Sequence, residues 1–258
     1  MVSVVLPTFN EADNIEPLLT RLVQVFVELN ESYELVVVDD DSPDKTWEVV
    51  ERMARSNPSI RLIRRIGRRG LTSAIDEGIR ACRGVRIGWL DCDLSQPPEL
   101  LAKMLAEMAS PTQPHCIVAS RYLDGGKDIR HGKFALQRVL SRILYLLARN
   151  LLALPVSDVT SGYVLVRREA LLPSLPLRGD YGEYFIDLMV RLHLRGARFV
   201  EVPYSLKNRE YGESKTATHV IGYATRGVKY LWIIFKYALI RLTGTRNDTC
   251  LCPSDRNS

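Results

Sequence analysis

The stretch Glu34-Leu35-Val36-Val37-Val38-Asp39-Asp40-Asp41-Ser42-Pro43-Asp44 decides the fold. Leu35–Val38 is an uninterrupted apolar run rich in valine, which reads as a short strand buried on both faces. It stops on carboxylates and a proline, and Trp47–Arg55 then takes up a helical pattern. The same alternation extends outward. Upstream, Val2–Pro7 is a strand run, followed by Asn10-Glu11-Ala12-Asp13-Asn14 and an amphipathic stretch over Ile15–Leu29. Downstream, Ile60–Ile63 is a third strand, Leu71–Cys82 a helix opened by Gly70, and Arg86–Leu90 a fourth strand ending in Asp91-Cys92-Asp93. Strands spaced by helices predict βαβ units and a mostly parallel, Rossmann-like sheet with helices on both faces. Polar residues gather just past each strand, where open α/β sheets bind ligands.

The second half reads differently. Phe134–Leu154 is a strongly apolar helical pattern in which Arg138, Arg142 and Arg149 recur. Val164–Val166 is a short strand and Tyr184–Leu194 a helix; Phe199–Pro203 is another strand, followed by the polar loop Lys207–Lys215. Val220–Leu242 is a final basic-apolar helical stretch, and the last dozen residues read as a disordered tail.

With 258 residues, 46% hydrophobic and 25% charged, the chain is long and apolar enough for a sizeable core, which excludes collagen-like and wholly disordered classes. The longest apolar run, Leu231–Ile240, is short and broken by Lys236, so no spanning helix is expected. The start lacks a basic region and a cleavage site and reads as having no signal peptide. Five cysteines, 82, 92, 116, 250 and 252, form no CxxC and fit a reducing cytosol. Charge is lopsided. Residues 1–120 carry 13 Lys/Arg and 18 Asp/Glu, net −5, whereas 121–258 carry 22 and 12, net +10. An anionic surface or substrate is therefore expected for the second half.

Asp91-x-Asp93 beyond an apolar strand is the sharpest local signal: two carboxylates so placed can share a divalent cation completed by nucleotide phosphates, although acidic turns look the same. The Asp39–Asp44 run can accept bonds from a base or ribose and can also cap the helix at Thr46. Pro7-Thr8-Phe9-Asn10-Glu11 stands where a dinucleotide fold would carry GxGxxG, and no GxxxxGK[ST] occurs, which disfavours ordinary NAD enzymes and P-loop NTPases.

Taken in order, VVLPTFNEADNI (4–15), VVVDDDSPDKT (36–46), GLTSAIDEG (70–78), DCDLSQPPEL (91–100), ASRY (119–122), SDVTSGY (157–163) and REYGESK (209–215) resemble the family 2 inverting glycosyltransferases. Within them the chain is most similar to the dolichyl-phosphate mannose synthase, or polyprenyl-phosphate glycosyltransferase, branch. The resemblance implies a GT-A glycosyltransferase domain over 1–215, containing an amphipathic interface helix at 134–154. A membrane-associating helical segment over 216–245 and the tail at 246–258 would follow. It implies mannose transfer from GDP-mannose to a dolichyl or polyprenyl phosphate, with inversion. Pro7, Phe9, Glu11, Val38 and Asp40 would line the nucleotide pocket, with Cys92, Asp93 and Ser95 beside the diphosphate. Asp91, Asp93 and Ser95 would hold Mg²⁺ or Mn²⁺. Arg121, Arg209 and Lys215 would face phosphates, and Arg121, Arg138 and Ser141 would meet the acceptor phosphate. By the same resemblance, Asp91, Asp93 and Arg121 would form the catalytic set. A peripheral place on the cytosolic face of a membrane follows, with room for a small membrane-anchoring subunit.

Two positions depart from the pattern. Val164 stands where the family has arginine, with Arg167 and Arg168 nearby, and Gln137 occupies the place four before Ser141, with Arg138 one later. An acceptor phosphate is already anionic at neutral pH and needs no general base. Consistently, His115, His131, His193 and His219 all fall outside the matched motifs and read as structural or surface residues.

Other functions stay open on the sequence. One is a family 2 transferase using UDP-glucose or UDP-GlcNAc, or a hydroxyl acceptor, for which Asp158 would be the base. Another is a degenerate, membrane-associated subunit. Nucleic-acid binding is disfavoured, because the basic residues interleave with aliphatics rather than exposed aromatics.

Overall fold

The computed structural model describes residues 1–131, 135–211 and 220–243, with side chains except at 135–138 and 220–226. Four βα units open the chain: β1 (Val2–Thr8), α1 (Ala12–Glu28), β2 (Tyr33–Asp39), α2 (Thr46–Ser56), β3 (Ile60–Arg64), α3 (Leu71–Ala81), β4 (Arg86–Trp89) and α4 (Leu100–Met108). Then come β5 (Cys116–Ser120), β6 (Lys127–Asp128), α5 (Ala135–Leu152), β7 (Val164–Arg167), α6 (Arg168–Leu171), α7 (Glu183–Leu194), β8 (Phe199–Pro203), β9 (Ser205–Leu206) and α8 (Val220–Thr243).

Seven strands form one sheet in the order β3-β2-β1-β4-β7-β5-β8, and β6 pairs with β9 in a separate ribbon. All neighbours in the large sheet run parallel except β7, which is antiparallel to both β4 and β5. The expected parallel sheet is present, while α4 and β5 occupy a stretch in which the sequence reading placed no element. α4 buries Leu101, Met104, Leu105 and Met108 at helical spacing but is only nine residues long, and the short run of β5 is defined by its pairing with β7 and β8.

The sheet divides two apolar layers. Ile15, Leu18, Leu19, Leu22 and Phe26 of α1 recur at helical spacing and pack with α2 and α4 on one face. α3, α5, α7 and α8 cover the other face, where Ala148, Leu152, Phe185 and Ile234 are buried. This arrangement fixes the site. Every parallel strand ends at one edge of the sheet, and antiparallel β7 begins there. The loops after β1, β2, β3, β4, β5 and β8, and the turn before β7, therefore converge on that edge.

Candidate functional site

The acidic run after β2 is held largely by the protein itself. Asp39 is fully buried; it accepts bonds from Thr8 Oγ1 at 2.8 Å and from the Ser42 hydroxyl at 2.6 Å. Asp40 takes the buried Arg65 Nε at 2.6 Å and the Gly70 N–H at 2.8 Å. Asp44 caps α2 through the Thr46 N–H at 3.0 Å and also satisfies the Ala12 N–H that opens α1. The capping role expected of this run therefore belongs to Asp44. Pro7 lies in register with Val38, and the Asp40 N–H bonds the Thr8 carbonyl, which gathers the expected nucleotide-side residues on adjoining strand ends. Val38 and Cys92 have their side chains in the core, so the main chain alone remains to them there. Above this floor the Arg69 guanidinium stacks 3.6 Å over the Phe9 ring.

Next to it a cavity of about 370 Å³ opens. Asp91, Asp93, Ser95, Arg121, Arg130 and Arg209 line it, and so do Leu140, Ile143 and Leu144 of α5, Phe185 of α7 and Leu231 of α8. Ser141 lies on the wall as expected. Lys215 lies outside the described residues, and so does the side chain of Arg138.

Asp91 faces this cavity and water reaches it, yet the surrounding protein, with the carboxylates of Asp93 and Glu11, pushes its carboxyl up to about 7, against the pull of Arg130 and Arg209. Buried Gln96 fixes the turn: its amide oxygen accepts the Asp91 N–H at 2.9 Å and its nitrogen donates to the Ser161 carbonyl at 3.0 Å. Clustered, mutually repelling carboxylates suit a divalent cation, which would relieve that repulsion. Asp91 and Asp93, with Ser95 beside them, are the residues that could hold such an ion, with donors from a bound ligand completing it. Arg209 reaches the site paired to Glu11, with contacts of 2.8 and 2.9 Å.

Several placements were not legible in the chain. Asp158 is wholly buried and binds Arg121 through both oxygens at 2.7 Å, so it serves as the anchor of that arginine and is not exposed to act as a base. Val164 is buried in β7. Arg167 bonds the Pro114 and Met108 carbonyls and Arg168 the Cys82 carbonyl, at the far end of β7, so neither substitutes for the missing arginine. Arg130, Lys207 and Gln96 are not singled out by the sequence, although Lys207 opens the polar loop and Gln96 lies inside DCDLSQPPEL. The first two stand on or beside a two-residue strand, too short to show a period, and Gln96 acts through main-chain bonds.

The fold is a doubly wound α/β sheet whose strand-end edge carries a cavity lined by carboxylates and arginines. The family model "Glycosyl transferase family 2" matches residues 3–172, and the chain belongs to that family. It is 31% identical over 257 residues to the dolichol-phosphate mannosyltransferase of Pyrococcus furiosus, covering 94% of this chain and 69% of that protein. It is 30% identical over 236 residues to the undecaprenyl-phosphate mannosyltransferase of Micrococcus luteus, covering 88% and 92% respectively. Glucosyl-3-phosphoglycerate synthase from Mycobacterium tuberculosis, solved with Mn²⁺, UDP-glucose and phosphoglyceric acid, shares the fold. Its TM-score is 0.67 over 92% of this chain and 79% of that one, at 18% identity.

Proposed function

We propose that this protein transfers mannose from GDP-mannose to a polyprenyl phosphate, with inversion at the sugar carbon. One observation carries the reading: a single cavity is lined both by charged groups, fit for a diphosphate and a phosphate, and by apolar side chains of α5, α7 and α8, fit for a prenyl chain. The names of the relatives point the same way.

Donor and acceptor are both anions, so the site's first task is to bring them together against their repulsion. Phe9, Asp40 and Glu11 stand on the nucleotide side, with Arg209 at the diphosphate. A divalent ion held by Asp91 and Asp93, with Ser95 near, would supply charge neutralisation for the departing nucleoside diphosphate. Arg121 backs the acceptor side, and Ser141 offers a hydroxyl there. The acceptor oxygen is already anionic, so the residues position it in line with the leaving group rather than deprotonate it.

The same helices favour peripheral membrane attachment on the cytosolic side. Val228, Trp232, Phe235 and Leu239 form one exposed stripe on α8 at helical spacing, and Val139, Ile143 and Leu146 form another on neighbouring α5. Lys236 and Arg149 flank these stripes with positive charge. Among the described residues no helix is long and apolar enough to cross a membrane.

The test is direct. Purified protein is incubated with labelled GDP-mannose, UDP-glucose and UDP-GlcNAc and with polyprenyl phosphates, with and without Mn²⁺. Lipid-extractable mannose from GDP-mannose is the expected product; transfer from a UDP-sugar alone, or to no polyprenyl phosphate, would overturn the reading.

A further inference from the structure

Asp128 lies between two guanidinium groups on the cavity wall. Both its oxygens accept from Arg130, Nε at 2.9 Å and Nη2 at 2.6 Å, while Oδ2 stands 3.6 Å from Arg121 Nη1. Side-chain exposure falls from 15% at Arg130 to 4% at Arg121, so Arg130 is the one nearer the open space. Arg121 is turned inward by its paired bonds to Asp158 and a third to Thr160.

The chain reaches this geometry by doubling back after β5. The Gly126 N–H closes a turn on the Leu123 carbonyl at 2.8 Å, and a Cβ at Gly126 would sit 2.6 Å from the Ser120 carbonyl oxygen. Only glycine allows so close an approach. β6 then pairs with β9, and the Ile129 N–H bonds the Leu206 carbonyl at 3.0 Å. Directly beyond β9, the Lys207 N–H bonds the Ser95 carbonyl at 3.1 Å and the Glu210 N–H bonds the Asp93 carbonyl at 3.2 Å. One ribbon thus carries Arg130 and Lys207 into the cavity and is strapped by its backbone to the Asp91–Ser95 turn.

We propose that Arg130 and Lys207 bind the phosphate monoester of the acceptor, taking the place that the sequence pattern assigns to an arginine at the start of α5. The two-point bond to Asp128 fixes the plane of the Arg130 fork, and a fixed guanidinium suits the bidentate geometry of a phosphate. Arg121 with Asp158, and Arg130 with Asp128, balance in charge, and Lys207 adds a further positive charge on the same wall to attract a phosphate. The straps to the Asp91–Ser95 turn keep this phosphate site at a set distance from the donor side, as an in-line displacement demands. The inference rests on the transferase reading above. The shared chemistry is a phosphate monoester, on a polyprenol or on a small soluble acceptor.

Full-length Arg130→Ala, Arg130→Lys and Lys207→Ala proteins, checked for an unchanged melting temperature, are assayed for donor and acceptor KM. Short-chain polyprenyl phosphate and 3-phosphoglycerate serve as alternative acceptors, and binding of each is also measured by calorimetry without donor. Arg130→Ala should weaken acceptor binding and raise acceptor KM roughly tenfold or more, the scale of a lost charge-assisted hydrogen bond. Arg130→Lys should recover part of the loss, Lys207→Ala should act in the same direction, and donor KM should stay at the wild-type value. Unchanged acceptor binding in Arg130→Ala, or an equal loss on the donor side, would overturn the proposal, as would wild-type protein that binds neither phosphate. Wild-type protein that binds and glycosylates 3-phosphoglycerate but not the polyprenyl phosphate would defeat the lipid reading while leaving this site standing, because the calorimetric loss is read apart from lipid transfer.

Discussion

The Arg121 guanidinium and the Asp158 carboxylate meet in two 2.7 Å hydrogen bonds, and the Arg121 backbone N–H adds a third to the same carboxylate at 3.0 Å. Both residues are buried, and Asp158 is inaccessible to water. This pair joins the end of β5 to the loop before β7, neighbouring strands that run in opposite directions. Burial and the facing Asp158 compete at Arg121, and the carboxylate wins, holding its guanidinium well above the ordinary range.

Asp158→Ala should therefore fail chiefly through stability. Removing one partner of a buried pair leaves an uncompensated charge, which costs about 3–5 kcal/mol. A chemical denaturation curve measures it. A variant as stable as wild type but inactive would instead make Asp158 a reacting group.

Asp93→Ala should abolish turnover while the fold persists. The change removes one carboxylate from the Asp91–Asp93 cluster and a 3.1 Å capping bond to the Ser95 N–H, but no core side chain. Unaltered far-ultraviolet dichroism with no detectable transfer in saturating Mn²⁺ is the expected result. Full wild-type activity in excess EDTA would contradict the metal-dependent reading.

Trp232 provides an optical test of membrane attachment, because it is 63% exposed on the apolar stripe of α8 whereas Trp89 is buried and Trp47 is half-buried beneath Arg64. Adding anionic vesicles should shift its emission to the blue, and the shift should shrink with salt, since surface attraction is screened within about 8 Å at physiological ionic strength. Trp232→Ala with Phe235→Ala should weaken vesicle sedimentation. Binding that ignores both salt and lipid charge would oppose the idea.

Glu34 should shape the acid limb of stability. Burial works to raise its pKa, but bonds from the Ser3 hydroxyl at 2.7 Å, the Arg83 N–H at 2.5 Å and Arg61 at 2.7 Å outweigh it and hold the carboxyl below its ordinary value. A depressed folded-state value stabilises above the unfolded-state pKa, and that contribution fades as pH falls through the folded value. Glu34→Gln should lower the melting temperature at neutral pH, and the gap to wild type should close in strong acid. An equal gap at both pH values would argue against this role.

Much was legible beforehand because it depends on local pattern. The apolar runs of β1, β2 and β4 name themselves as buried strands, and the carboxylates after them mark the functional edge. β5 was not legible, since a five-residue apolar run becomes a strand only when partners pair with it, and α4, although Leu101, Met104, Leu105 and Met108 keep helical spacing, is only nine residues long. The resemblance implies an interfacial helix at α5, and the structure also places part of it in the core. It is both, with Ala148 and Leu152 buried while Val139 and Ile143 face outward. Two faces of one helix are filled by different surroundings, and residue type alone does not say which apolar stripe finds a neighbour.

The sequence by itself determined the α/β class, the edge that carries the site and the family-like order of motifs, because strand and turn chemistry is written within a few neighbouring residues. The tertiary structure alone decided which charges are committed and which are presented. Asp158 anchors Arg121 from 37 positions away, and Glu11 orients Arg209 from 198 positions away. It also brought Arg130 to the cavity through a glycine turn and a two-residue ribbon. Such pairings depend on through-space distance and on desolvation, and neither is encoded in the spacing of residues along the chain.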